Sequence, residues 1–345
     1  MPQDSEPPAI AAALPAIPVL HVGRDFPVET ALAIGESRGY AMLDKATAGI
    51  PAAAIRIGDA VSRAWLQRTH HPYLAEIDAV AKLAIRPGSH FFNVAYEWGC
   101  TSAAKSAGDG LGCRLVRVLD WNIPGLGRHA IAARVMSDHG PWVTLTWPGY
   151  TGVLQALAKG RFAAGLNQAP ARIVWDRPRL DWLIAKAGIW RSRAITPGHL
   201  LRQVFEQAAN YAEARQRLIE TPLAVPVIYT LAGPGPGEGC VIERQETAAR
   251  VLEGPGEAQT ANDWQSVSWQ GRRSPGRWSA ERLAAMRAVA TAPPPDQPFD
   301  WLVVPILNDE SRLAIVADPA TGRLIAQGYE ADGPATAILH LQLPD

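Results

Sequence analysis

The sequence predicts an α+β fold in which two β-sheets pack face to face with helices outside them, preceded by a helical segment. Hydrophobic residues make up 48% of the 345-residue chain, which is enough for a large core. Helix-like spacing of apolar residues fills the first hundred residues, and strand-like patterns follow. Because helices and strands come in separate runs, a simple parallel βαβ array is disfavoured.

The elements of the first half follow from apolar spacing. Apolar residues recur at intervals of three and four in the first hundred residues, and β-branched or alternating residues dominate after Phe91. Helices are therefore expected at 28–43, 52–66 and 73–85. Strands are expected at 113–120, 130–136 and 142–147.

The second half repeats the order of helices followed by strands. A long helix is expected at 200–219, with Thr196 as candidate N-cap and Pro197 at its first position. A further helix is expected at 280–291 behind Ser279. Strands are then expected at 301–307, 313–317, 324–327 and 335–343.

Composition excludes several classes of function. The 33 Lys and Arg residues balance 33 Asp and Glu residues, so the chain has no net charge to attract nucleic acid. Cys100, Cys113 and Cys240 are too scattered for a disulfide framework, and no CxxC pair indicates structural zinc. We expect no metal, no cofactor and a reducing compartment.

The N-terminus carries Asp4 and Glu6, and no Lys or Arg, before a short apolar run. A secretory signal needs a positive start, so we expect a disordered leader that runs into the first strand. No run reaches the roughly 18 apolar residues of a membrane span. These features favour a cytoplasmic protein.

Two conspicuous motifs have structural explanations. His70 and His71 lie beside Pro72 without a third ligand at metal-binding spacing, so a surface pair at a helix end is favoured. The loop GPGPGEG at 233–239 is glycine-rich but lacks the Lys-Ser/Thr ending of a phosphate-binding loop. A β-turn between two strands is favoured there.

The most informative stretch is 95–122, AYEWGCTSAAKSAGDGLGCRLVRVLDWN. Cys100 is followed by Thr-Ser, then by Arg117 and Asp120. Alone, this pattern is sparse, and a free cysteine is also among the most buried residue types. Regular alternation would place Arg117 and Asp120 on opposite faces of a strand, so a site that uses both requires a bend or strand end near Leu119.

Four ordered blocks carry a resemblance to a known family. They are FNVAYEWGCTS at 92–102, WPGYTGVLQALAKGRFAAGLNQ at 147–168, the passage at 210–244, and QTANDW at 259–264 with the Arg272-Arg273 pair. Together they resemble the acid ceramidase and N-acylethanolamine acid amidase group of N-terminal nucleophile hydrolases, which are related to choloylglycine hydrolases and penicillin V acylases. The resemblance implies a four-layer αββα sandwich.

The resemblance also implies self-cleavage between Gly99 and Cys100. Residues 1–99 would form a helical subunit that stays associated with residues 100–345, the core that begins at the nucleophile. A free α-amine next to a thiol can accept its proton near neutral pH, so nucleophile and base would be one residue.

The resemblance assigns roles to further residues. Asp120 would hold the α-amine, Arg117 would favour the ionised thiol, and Asn167 would be the oxyanion-hole donor. Asn262 matches a second site asparagine and Arg272 the arginine that completes the polar network. Matching is loose in this last region, so Asp263 or Arg273 remain alternatives.

The expected activity is hydrolysis of a linear amide of an apolar acyl group, such as an N-acylethanolamine, through a Cys100 thioester. Two alternatives stay open: transfer of the acyl group to an amine, and an unprocessed relative that only binds a lipid-like ligand. Gln168 stands where the family branch usually has an acidic residue, which leaves the exact substrate open. Transient contact with membranes or lipid aggregates is expected.

Overall fold

A computed structural model describes residues 13–94, 98–108, 112–254, 257–272, 278–293 and 296–344. The expected leader at 1–12 and the alternative site residue Arg273 lie outside these ranges. The helices within the described residues are α1 (Phe26–Ile34), α2 (Tyr40–Ala46), α3 (Ala52–Arg68), α4 (Leu74–Ala84), α5 (Ser89–Val94), α6 (Leu126–His129), α7 (Pro178–Arg191), α8 (Pro197–Gln207), α9 (Tyr211–Glu220) and α10 (Ser279–Thr291).

The strands form two sheets. The first has the order β1-β4-β5-β6-β7-β8-β9-β10, and the second has the order β11-β2-β3-β12-β13-β14, with β15 also paired to β13. Their bounds are β1 (Val19–Val22), β2 (Gly99–Ser106), β3 (Cys113–Asp120), β4 (Ile131–Ser137), β5 (Gly140–Thr146), β6 (Gln155–Ala158), β7 (Phe162–Gln168), β8 (Val227–Ala232), β9 (Gly239–Arg244), β10 (Ala249–Glu253), β11 (Gln259–Thr260), β12 (Ser311–Asp318), β13 (Arg323–Glu330), β14 (Gly333–Pro334) and β15 (Leu339–Gln342).

The layers stack as helix, sheet, sheet, helix. Helices α8 and α9 pack on the outer face of the first sheet, α10 packs on the outer face of the second, and β2 and β3 face β7 and β8 across the interior. The predicted αββα sandwich is confirmed. Its core lies between the sheets and under α8 and α9, where Trp142, Phe162 and Phe205 are fully buried.

The N-terminal segment is not only helical. Strand β1 pairs in parallel with β4 and so extends the first sheet, while α1 contacts both strands. The helix expected at 28–43 is interrupted by one turn of π-helix at Gly35–Gly39. No helix within the described ranges has the length and apolar character needed to cross a membrane.

Three sequence predictions need correction. The helix expected at 200–219 is two helices, because α8 ends at Gln207 and Asn210 caps α9 through a hydrogen bond from the Glu213 backbone nitrogen. Residues 301–307 form turns rather than a strand. His70 is exposed, but its neighbour His71 is buried, so the two do not form a surface pair.

The glycine-rich loop at 233–239 has the role that the sequence predicts. It joins β8 to β9, which pair in antiparallel register from Val227 and Arg244 to Ala232 and Gly239. Gly237 has a φ of 75°, a left-handed conformation that favours glycine. The loop is therefore a turn between two strands, as predicted.

Candidate active site

Cys100 is the second residue of β2 and lies in the interior of the sandwich. It pairs with Leu119 of β3, and its side chain is 0% exposed. The sulfur accepts a hydrogen bond from Arg117 Nη2 at 2.8 Å. A positive group therefore lies directly against the only nucleophilic atom of this residue.

Arg117 projects from β3 across the interior to the first sheet. Its Nη2 also donates to the Leu166 carbonyl oxygen at 2.6 Å, and its Nη1 donates to Gln155 Oε1. Gly165 makes room for it, because a Cβ on that residue would lie 2.6 Å from Arg117 Cδ. The two sheets together hold the guanidinium against Cys100.

Asp120, the last residue of β3, approaches from the other face of the second sheet. Its carboxylate accepts from Ser311 Oγ at 2.8 Å and from Arg282 Nη1 at 3.3 Å. Alternation is kept along β3: Leu119 packs in the core between the sheets, and Val118 packs in the cluster that includes Met286 of α10. The strand ends at Asp120, as the spacing requires, and Asp120 pairs with Gly99, beside Cys100.

Asn262 holds the backbone nitrogen of Cys100. Its Oδ1 accepts from that nitrogen at 2.9 Å, and its Nδ2 donates to the Gln168 carbonyl oxygen at 2.9 Å. The Asn262 backbone nitrogen donates to Ser279 Oγ at 3.0 Å. Of the two candidates at 262 and 263, the structure brings Asn262 to Cys100.

The arginine that joins this network is Arg282, which sequence reasoning missed. It is fully buried, and its Nη1 donates to the Cys100 carbonyl oxygen at 2.6 Å and to Thr101 Oγ1 at 2.7 Å. Its Nη2 donates to Asn262 Oδ1 at 2.8 Å. A signal was present: Ser279, Arg282 and Met286 form the buried stripe of α10, and an arginine on such a stripe needs polar partners.

Arg272 lies elsewhere, which corrects the sequence assignment. Its Nη2 pairs with Asp176 at 3.2 Å and Asp181 at 3.1 Å, and its side chain is 35% exposed. Its backbone forms an isolated bridge with Ala171. The structure therefore does not bring Arg272 to Cys100, whereas Arg282 contacts both Cys100 and Asn262.

Asn167 lies on β7, which faces β2 across the interior, and no hydrogen bond joins it to Cys100. Its Oδ1 accepts from Ser102 Oγ at 3.2 Å, and its Nδ2 donates to the Ala261 carbonyl oxygen at 3.0 Å. The amide is thus already bonded in the intact chain. Its oxyanion-hole role stays a prediction.

Comparisons with known proteins show a local sequence similarity. Acid ceramidase from Heterocephalus glaber is 33% identical over 100 residues, which are 29% of this chain and 24% of that protein. Acid ceramidase from Homo sapiens is 31% identical over 99 residues, again 29% of this chain and 24% of the relative. Over about 100 residues, this chain is therefore similar to acid ceramidases.

This relationship confirms the predicted resemblance, although the match spans about a quarter of the length of the acid ceramidases. No family model matches the chain. Among solved structures, a Caenorhabditis elegans N-acylethanolamine-hydrolyzing acid amidase ortholog superposes with a TM-score of 0.49 and 19% identity, covering 71% of this chain and 100% of its own.

Burial controls the ionisation of the site. It raises the pKa of the Cys100 thiol to about 11, and this effect outweighs Arg117 and Arg282, which lower that pKa. Burial also raises the pKa of Asp120, against the opposing effects of Arg282 and Ser311. Exposure of Cys100 to water would remove the largest cause of its raised pKa and leave Arg117 and Arg282, which lower that pKa, against the charge of Asp120, which raises it.

Gln168, at the position where the acid ceramidase group usually has an acidic residue, fixes the segment before Cys100. Its Oε1 accepts from the Trp98 backbone nitrogen at 2.9 Å. The Trp98 ring is 2% exposed and lies 5.1 Å from the Trp121 ring, measured between centroids. Gln168 and Trp121 therefore contact the residue that lies two positions before Cys100.

Among the described residues, no group of three or more His, Cys, Asp or Glu side chains could hold a metal ion.

Proposed function

We propose that this protein is an amidohydrolase that uses the Cys100 thiol as its nucleophile and acts on a linear amide of an apolar acyl group. The observation that carries the proposal is the contact of 2.8 Å between Arg117 Nη2 and Cys100 Sγ, with Asn262 and Arg282 bound to the backbone of the same residue. This arrangement fixes the nucleophile on three sides.

The first step of the proposed mechanism is self-cleavage. The Cys100 sulfur attacks the Gly99 carbonyl carbon, the peptide C–N bond breaks, and the nitrogen takes up a proton as the α-amine. Water then hydrolyses the resulting thioester and releases the Gly99 carboxylate. The hydrogen bond from the Cys100 nitrogen to Asn262 Oδ1 supports this step, because it fixes the nitrogen that leaves.

The same chemistry then serves a substrate. The free α-amine of Cys100, with an ordinary pKa of about 8, takes the thiol proton, and the thiolate attacks the amide carbonyl. The amine departs with a proton, and water hydrolyses the acyl thioester. Asn262 and Asp120 would hold the α-amine, which supports the proposed role of the terminal residue as both nucleophile and base.

An apolar acyl group fits the surroundings of the site. Trp98, Trp121 and Trp147 form a chain of rings, with centroids 5.1 Å and then 5.8 Å apart, in and against the hydrophobic core cluster that also contains Cys100. Aromatic walls suit a hydrocarbon chain. The relatives are named for ceramide, itself a fatty amide, and the proposal gives this chain a substrate of that class.

The two fragments are proposed to stay together after cleavage. Strand β1 is hydrogen-bonded to β4, and the buried Arg202 of the core binds Glu76 of the first 99 residues with Nη2 to Oε1 at 2.8 Å. The Arg202 guanidinium also lies 4.0 Å from the Tyr73 ring centroid and 4.7 Å from that of Phe26. These contacts do not depend on the Gly99–Cys100 bond.

Contact with a lipid surface is the second part of the proposal. The segment around α7 exposes Ile173, Val174, Trp175, Leu180 and Trp190. Arg172, Arg177 and Arg193 are exposed in the same segment. Exposed tryptophans beside basic residues suit an anionic lipid surface.

Product analysis tests the function. Self-cleaved protein is supplied with an N-acylethanolamine, with and without a competing amine, and the Cys100→Ala variant is the control. Free fatty acid as the main product in both conditions is the expected result. A predominant new amide would favour acyl transfer, and no turnover by cleaved protein would overturn the proposal.

A further inference from the structure

Gln155 is a fully buried polar residue at the start of β6, in the sheet opposite Cys100. Its Oε1 accepts from Arg117 Nη1, and its backbone carbonyl oxygen accepts from Thr144 Oγ1 at 2.9 Å. Its Nε2 points to the Leu145 carbonyl oxygen at 3.5 Å. Both ends of the residue are therefore held by the first sheet, and its oxygen has a fixed position.

The contact between Gln155 Oε1 and the Arg117 guanidinium joins a neutral acceptor to a charged donor. A guanidinium only donates hydrogen bonds, so the amide must turn its oxygen to Arg117. The amide is neutral, whereas the carboxylate of Glu, which has the same shape, would place a negative charge against the guanidinium. That charge would compete with the Cys100 thiolate for the same positive group.

We propose that Gln155 is the positioning residue for Arg117, and that its neutral amide fixes the guanidinium against the Cys100 sulfur without drawing the positive charge away. Leu166 supplies the second neutral acceptor, its carbonyl oxygen, 2.6 Å from Nη2. Gly165 provides the space through which the arginine reaches both. The inference rests on the proposed function, because it concerns the nucleophile named there.

The test measures the ionisation of Cys100 itself. Thiolate ultraviolet absorbance is titrated in the full-length chain, as purified, and the same titration with Cys100→Ser is subtracted. Gln155→Glu is expected to raise the titration midpoint by about one pH unit, which is about tenfold less thiolate at a fixed lower pH. Gln155→Met, which removes the acceptor but adds no charge, is expected to raise it by less.

A matched control separates the effect of a negative charge at position 155 from the effect of a negative charge placed elsewhere in the core. Gln327 is also buried, and its side chain binds the Thr336 carbonyl oxygen and the Tyr329 hydroxyl. Gln327→Glu is expected to leave the midpoint unchanged. In active protein, Gln155→Glu is expected to lower kcat at neutral pH about tenfold with little change in KM.

Three results would overturn the inference: a Gln155→Glu midpoint equal to that of the unmodified chain, one no higher than that of Gln155→Met, or an equal rise with Gln327→Glu. If Gln155→Glu does not fold, an unchanged midpoint in Gln155→Met overturns it. Failure of the proposed function is a separate observation, since it would show as cleaved protein that turns over no amide, while the full-length chain and its Gln155 variants titrate as described.

Discussion

Arg282 and Asn262 form one hydrogen-bonded unit on the backbone of Cys100. Arg282 Nη2 donates to Asn262 Oδ1 at 2.8 Å, and the same oxygen accepts from the Cys100 nitrogen at 2.9 Å. Arg282 Nη1 binds the Cys100 carbonyl oxygen at 2.6 Å. One guanidinium therefore fixes both backbone groups of the proposed nucleophile, one of them through Asn262.

This relationship predicts that Arg282→Lys lowers amidase turnover on the order of 100-fold, because one ammonium cannot reproduce the forked contacts. Arg272→Lys is the matched control. Its ion pairs with Asp176 and Asp181 lie away from Cys100, so its turnover should change less than about threefold. Steady-state kinetics of both variants measure this. A loss of turnover in Arg272→Lys larger than that in Arg282→Lys would indicate that Arg272, and not Arg282, acts in the site.

Gly165 is predicted to be required for the position of Arg117. A Cβ there would lie 2.6 Å from Arg117 Cδ, so Gly165→Ala should displace the guanidinium and lower turnover by about tenfold or more. Gly188→Ala is the control, since nothing lies within 4 Å of a Cβ at that position. Equal activity of the two variants would contradict the described packing of Arg117.

The burial of His71 leads us to predict that the protein loses stability at acidic pH. Burial lowers its pKa to about 4, and its ring packs 4.6 Å from that of His199. Because the unfolded pKa is about 6.5, the unfolded chain binds an extra proton between pH 6.5 and 4. The stabilisation is complete above pH 6.5 and falls by up to about 3 kcal/mol as the pH drops through this window.

Thermal unfolding from pH 7 to pH 4 measures this effect. His71→Gln should make the fall in the free energy of unfolding across that window smaller, because His71 is no longer there to be protonated on unfolding, while the neighbouring buried His199, whose pKa burial also lowers, remains. The exposed His139 provides the control, and His139→Gln should retain the slope of the unmodified chain. Identical slopes in all three proteins would rule out His71 as the source.

The exposed tryptophans of the segment around α7 lead us to predict that the protein binds lipid surfaces. Trp175 is 67% exposed and Trp190 is 43% exposed, so replacing both with Ser should weaken binding to vesicles that contain anionic lipid by about tenfold or more. Co-sedimentation measures it. Met136, 58% exposed on β4, is the control, and an equal loss with Met136→Ser would show that the segment has no special role.

Local patterns in the sequence predicted the core strands well. The bounds of β3 are those expected, because alternation and β-branched residues make 113–120 unambiguous. The helix at 280–291 begins one residue earlier than predicted, at Ser279. Cys100, Arg117, Asp120 and Asn262 lie together as the resemblance implied, while their roles and the cytoplasmic location remain predictions.

Other features depend on tertiary contacts that local patterns do not contain. Residues 301–307 read as a strand because Leu302 and Ile306 are apolar, yet these residues bury their side chains beside Met286 of α10 instead of joining a sheet. Arg272 forms ion pairs with Asp176 and Asp181, whereas Arg282 donates a hydrogen bond to Cys100. Only the folded chain shows which of the two arginines contacts Cys100. Spacing alone could not separate them.

The central claim is that Cys100 cleaves the bond before it and then acts as the nucleophile. The most direct measurement is the intact mass of the purified chain, incubated from neutral to acidic pH, beside Cys100→Ala. We predict fragments of residues 1–99 and 100–345 from the unmodified chain, and only full-length Cys100→Ala. Full-length mass for the unmodified chain under every condition, or cleavage at the same bond in Cys100→Ala, would contradict the account.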